Sequence, residues 1–121
     1  MATVLIVEDE TQVLLLAQSI LQQAGYETLS ASTLAEAQAI LHSEHKVDLI
    51  FTDITLGDEN EAGLQVGQVA SQLKSLPVIY TTGRGVTDGM IALFAERHAF
   101  LPKPWKPERL IQTVAELLRE P

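Results

Sequence analysis

Four places in this sequence carry polar side chains just beyond short apolar runs. Glu8 and Asp9 follow Val4-Leu5-Ile6-Val7, and Asp53 follows Leu49-Ile50-Phe51. Thr82 comes after Val78-Ile79-Tyr80, and Lys103 after Ala99-Phe100-Leu101. Apolar runs of this length, separated by helix-like segments, read as buried strands of a parallel sheet, whose carboxyl ends converge on one ligand-binding edge. Three carboxylates, a hydroxyl and an ammonium would then share one pocket. That set suits metal-assisted transfer of a phosphoryl group to a carboxylate. Clustered carboxylates repel one another, a hard divalent cation offsets the repulsion, and the same cation neutralises charge on a transferring phosphoryl. Lys103 can pair with a phosphoryl oxygen once Asp53 is modified, and Thr82 can donate to another. A move of Thr82 toward the new acyl phosphate would draw its loop along and act as a switch.

Positioning these groups requires five strands alternating with five helices. Strands are expected over 3–7, 27–31, 48–52, about 78–82 and 99–101. The first helix is expected over 11–24, with Val13, Leu14, Ala17, Ile20, Leu21 and Ala24 at helical spacing and Gly25 as its stop. Ser32 or Thr33 caps a second helix with Leu34, Ala37, Ile40 and Leu41 on one face. Further helices are expected over 62–73, 87–95 and 107–119, the last opening on Pro107. Short connections between β/α units require right-handed crossovers, so the fold class is α/β: a doubly wound, five-stranded parallel sheet of flavodoxin-like order 2-1-3-4-5. Pro102 agrees, since that order makes the fifth strand an edge, where a missing ladder donor is tolerated.

The 121 residues suffice for one domain with its own core, spanning 1–121 and without an output domain. The formal charge of −8 opposes contact with a phosphate backbone, so nucleic acid is not an expected partner. No apolar stretch approaches membrane-spanning length, and no basic leader precedes the first strand, so a cytoplasmic protein without membrane contact is expected. The absence of cysteine fits a reducing compartment.

The motifs Val4-Leu-Ile-Val-Glu8-Asp9-Glu10, Leu49-Ile-Phe-Thr-Asp53-Ile-Thr-Leu56, Pro77-Val-Ile-Tyr-Thr-Thr82-Gly83 and Phe100-Leu-Pro-Lys103-Pro104 together resemble the receiver domain of two-component response regulators. The resemblance covers almost the whole chain, in order. It implies that Asp53 accepts a phosphoryl group from a histidine kinase or a histidine phosphotransfer protein. It also implies Mg²⁺ bound by Asp9, Asp53 and the Thr55 carbonyl, with Glu8 acting through a metal-bound water. Thr82, Gly83 and Lys103 would receive the phosphoryl, and Phe100 would be the strand-five aromatic that changes rotamer with the switch. The Lys103–Pro104 bond would be cis. Output would pass to a downstream protein through the surface of the fourth helix, fifth strand and fifth helix.

Two departures from the family pattern stand out. Gly57 occupies the position, four after Asp53, where proline is common, and Gly63 comes ten after Asp53 instead of eight. The intervening loop is longer and acidic, with Asp58, Glu59 and Glu61 expected to face solvent. Taken singly, each residue also has a structural reading: acids before a helix suit its dipole, and Phe100 and Tyr80 suit a core. Trp105 fits either a partner anchor or local packing, and His42, His45 and His98 lack metal-ligand spacing. A phosphatase of the haloacid dehalogenase type would need an acid where Thr55 stands, and a nucleotide-binding module would need a glycine-rich turn where Glu8-Asp9-Glu10 stands. A receiver-like scaffold that is never phosphorylated is the remaining alternative.

Overall fold

Alternation along the central strands decides the layering. In β1 (Thr3–Val7), Leu5 and Val7 face one side of the sheet while Val4 and Ile6 face the other, and all four are essentially inaccessible to water. A strand buried on both faces must be covered by helices on both. The computed structural model describes residues 1–119, so the last two positions of the expected 1–121 domain lie outside the described residues. After β1 come α1 (Thr11–Gln23), β2 (Glu27–Ala31), α2 (Leu34–His42), β3 (Leu49–Asp53) and α3 (Ala62–Lys74). The chain continues with β4 (Val78–Thr81), α4 (Asp88–Ile91), β5 (His98–Phe100) and α5 (Pro107–Arg119). All strand pairs are parallel and their order is β2-β1-β3-β4-β5, as expected.

One core layer packs Leu5, Val7 and Ile50 against Ala37 and Leu41 of α2 and Val66 and Ala70 of α3. The other packs Ile6, Phe51 and Ile79 against Ala17 and Leu21 of α1 and Leu110 and Val114 of α5. Each Val, Leu, Ile or Phe side chain so buried contributes about 1.5–3 kcal/mol. Thr33 caps α2, its hydroxyl accepting the Glu36 N–H at 3.1 Å. Gly25 ends α1 with φ 98°, a left-handed conformation that favours glycine.

Several boundaries differ from the sequence expectation. The helix expected over 87–95 is regular only over Asp88–Ile91. Beyond it, Leu93 and Phe94 donate to carbonyls three residues back, and the Ala95 N–H leaves the helix to bond the Tyr80 hydroxyl at 2.8 Å. A side-chain acceptor from the sheet has replaced the next helical carbonyl. The fifth strand lies one residue earlier than expected and the third one residue later, with Asp53 itself the last residue of β3. The fourth ends at Thr81, placing Thr82 just past the ladder. Ala24, expected on the buried face of the first helix, is exposed at its C-cap.

Candidate functional site

The parallel order puts the carboxyl ends of β1 and β3 side by side, with β4 next to β3. Glu8, directly after β1, is only 4% exposed, and its N–H bonds the Ala31 carbonyl at 3.0 Å. Asp53 is 7% exposed. One of its oxygens, Oδ1, accepts the Thr55 N–H at 3.1 Å, and the other, Oδ2, accepts from Lys103 Nζ at 2.7 Å. Lys103 also reaches Glu8 Oε1 at 2.9 Å, bridging the two carboxylates. Its backbone is held there by a 3.0 Å bond from its N–H to the Thr82 carbonyl.

Burial pushes the Glu8 carboxyl above its ordinary pKa; the bond from Lys103 opposes this, and the Asp53 charge adds to it. Burial by itself pulls the Lys103 ammonium down, but its bonds to Asp53 and Glu8 outweigh that effect and hold it above the ordinary value. The lysine is therefore a fixed cation between two carboxylates.

Glu8, Asp9 and Asp53 each offer an oxygen such that all three lie within 4.8 Å of one another. An all-oxygen donor set of this charge suits a hard divalent cation. Asp9 is exposed, and its Oδ2 accepts the Gly57 N–H at 3.0 Å. Thr55 adjoins the cluster, with its hydroxyl donating to the Asn60 carbonyl at 3.1 Å. Thr82 is 4% exposed; its oxygen accepts the Arg84 N–H at 3.1 Å, which leaves its own O–H free to donate. Gly83 and Arg84 join these groups around a cleft of about 370 Å³.

The structure thus gathers Glu8, Asp9, Asp53, Thr55, Thr82, Gly83 and Lys103 at one edge. Phe100 lies elsewhere: half-buried on β5, opposite Tyr80 in register, against the α2/α3 core layer. The Lys103–Pro104 peptide is cis, and Pro104 and Trp105 face a separate apolar recess beside Val13 and Leu16. Trp105 packs edge-on against Phe51 of β3, with centroids 5.7 Å apart, so contact with the core layer under the sheet covers part of its surface. Asp58, Glu59 and Glu61 are exposed, as expected.

Two contributors were not singled out from the sequence as parts of the site. A Cβ on Gly63 would stand 1.9 Å from the Asp53 carbonyl oxygen, so only glycine lets α3 approach this closely. The Gly57 N–H on Asp9 is the other. The displaced glycine and the missing proline were visible signals, but their contacts depend on backbone geometry.

Residues 4–115 match the family described as the response regulator receiver domain. Among curated proteins, the chain is 32% identical over 117 residues to the alginate biosynthesis transcriptional regulatory protein AlgB of Pseudomonas aeruginosa, covering 95% of this chain and 25% of that protein. It is 31% identical to the phosphate regulon transcriptional regulatory protein PhoB of the same species, covering 97% of this chain and 52% of that one. The chain therefore spans between a quarter and about half the length of these relatives. A crystal structure of a response regulator receiver protein from Sinorhizobium medicae superposes with a TM-score of 0.88 at 30% identity, covering 97% of this chain and 94% of that one. A CheY-like receiver domain from Methanospirillum hungatei gives 0.84 at 28%, covering 98% and 94%. With sequence and architecture agreeing over nearly its full length, this chain belongs to the receiver domain family of two-component response regulators.

Proposed function

We propose that Asp53 is the phosphoacceptor of a phosphorelay, taking its phosphoryl group from the phosphohistidine of a histidine kinase or histidine phosphotransfer protein. A carboxylate oxygen of Asp53 forms the new O–P bond as the donor's N–P bond breaks, and the electron pair returns to the imidazole. The observation that carries this reading is the Lys103 ammonium 2.7 Å from Asp53 Oδ2, beside two more carboxylates. That ammonium can pass from the free carboxylate to a phosphoryl oxygen without leaving the cleft. Glu8, Asp9, Asp53 and the Thr55 carbonyl would hold Mg²⁺, which when bound supplies charge neutralisation for the incoming phosphoryl. The Thr82 hydroxyl donates to a second phosphoryl oxygen, with the Gly83 backbone alongside.

The domain acts as a phosphoacceptor and not as an enzyme on outside substrates, since Thr55 offers no acid two residues beyond Asp53 to drive turnover. Movement of Thr82, followed by Phe100, would change the α4-β5-α5 surface that a downstream protein reads. We place these residues in the cytoplasm and away from nucleic acid, the latter because of their charge of −8. Among the described residues, no helix is long and apolar enough to cross a membrane.

Intact-mass analysis after incubation with acetyl phosphate and Mg²⁺ tests the reading. The expected result is a gain of one phosphoryl mass in the wild type, absent in Asp53→Asn and absent when Mg²⁺ is chelated. A wild type that folds yet gains no mass, from acetyl phosphate or from a phosphohistidine donor, would establish the unphosphorylated scaffold instead.

A further inference from the structure

The bond from the Gly57 N–H to Asp9 Oδ2, 3.0 Å long, joins positions 48 apart in the chain. Its donor sits on a well-defined turn. Gly57 has φ 59°, in the left-handed region, and Leu56 and Glu59 exchange both of their backbone hydrogen bonds across it, each at 3.0 Å. Leu56 is 4% exposed and pins the turn to the core. The donor is thus fixed by the backbone, while Asp9 is exposed and would otherwise sample several rotamers. Proline, common at this position in the family, has no N–H to give. Asp9 and Gly57 both line two cavities: the phosphoacceptor cleft, and a space of about 390 Å³ between the turn and the Ser32–Thr33 entry to α2.

Resting on the reading of Asp9 as a metal ligand, we propose that the Gly57 amide is a positioning donor for the metal site. It holds the Asp9 carboxylate toward Glu8 and Asp53 before any cation arrives, so less side-chain freedom is lost on binding. A carboxylate has two oxygens, so this bond and a metal bond are compatible. Hydrogen-bond partners of metal ligands typically set affinity by about 10–100-fold. A bond that only tethered the turn would affect stability and leave metal affinity unchanged.

Calorimetric titration with Mg²⁺, read together with amide exchange, separates these roles. Gly57→Pro removes the N–H and is expected to weaken Mg²⁺ binding by about tenfold or more. Gly57→Asn keeps the N–H, tolerates the left-handed conformation and meets nothing within 4 Å of its Cβ, so it is expected to restore affinity to near the wild-type value. Unchanged affinity in Gly57→Pro overturns the proposal. Proline cannot adopt φ near 59°, so the turn itself must rearrange in that variant. Amide exchange supplies a second, independent readout. The Gly57 amide should be protected in the wild type, exchange faster in Asp9→Ala, and stay protected at saturating Mg²⁺. Equal exchange in Asp9→Ala, or loss of protection when Mg²⁺ binds, overturns the proposal. A wild type that takes up no Mg²⁺ removes the metal-site reading and this inference with it, whereas Mg²⁺ uptake insensitive to Gly57→Pro removes this inference alone.

Discussion

Lys103 is a cation shared by two carboxylates with little exposed surface, and its removal should show what the cluster costs. With Lys103→Met, Glu8 and Asp53 face each other without their shared cation, at 4% and 7% exposure. Breaking a fully buried pair costs about 3–5 kcal/mol. The loss here should be smaller, because the cleft is open to water. A divalent cation can replace the missing charge, so added Mg²⁺ should raise the thermal midpoint of Lys103→Met by more than it raises that of the wild type. Equal shifts in the two proteins would mean that Lys103 is not the counter-charge of this cluster. The place of Lys103 in the same pocket as Asp53 was readable from its position after an apolar run. Its simultaneous hold on Glu8 was not, because that needs the lateral spacing of β1, β3 and the segment following β5.

At the scale of elements, α3 and the end of β3 meet without room for a side chain. A Cβ at position 63 would stand 1.9 Å from the Asp53 carbonyl oxygen and 2.6 Å from Ile54 Cα, and both obstacles are backbone. Gly63→Ala must therefore push α3 away from the sheet or shift Asp53. Overpacking of this kind typically costs about 1–3 kcal/mol, and rigid backbone neighbours favour the upper end. Urea unfolding should show that loss, and acetyl phosphate labelling of Asp53 should slow with it. Wild-type stability and labelling in Gly63→Ala would show that the helix relaxes freely. The helices with long apolar stripes, α1, α2 and α5, were legible because their stripes exceed two turns and end at clear stops such as Gly25. The end of α4 was not, since the sequence 87–95 keeps a helical look while Tyr80, far away in sequence, captures the Ala95 N–H. Local pattern predicts local hydrogen bonds, and here a distant side chain outcompetes them.

Tyr80 ties together three distant parts of the whole molecule, β4, α3 and the segment ahead of β5. It lies on β4 with no exposed surface, its hydroxyl accepts the Ala95 N–H ahead of β5, and it fills the notch left by Gly67 on α3, where a Cβ would stand 2.1 Å from that oxygen. Its ring stacks on Phe94 with centroids 4.1 Å apart and planes within 14°. The strand order that creates this meeting was legible from the alternating pattern and from Pro102 at the edge. The meeting itself was not, because only the folded register brings positions 67, 80 and 95 together. Tyr80→Phe keeps the ring but leaves the Ala95 N–H buried without its acceptor, which should cost about 1–2 kcal/mol near neutral pH. Burial pushes the phenol above its ordinary pKa, with the bond from Ala95 opposing, so the folded state retains the proton longer than the unfolded chain does. Below about pH 10, both states hold the proton and the full contribution of Tyr80 is present. As pH rises through the unfolded value toward the higher folded one, the unfolded chain ionises first and that contribution is lost. The stability gap between wild type and Tyr80→Phe should therefore narrow as urea titrations move from about pH 8 to above pH 10. Lys103 titrates in the same range but is common to both proteins and cancels from the gap. A gap that stays constant across that range would show that the buried phenol titrates no differently in the fold than in the unfolded chain.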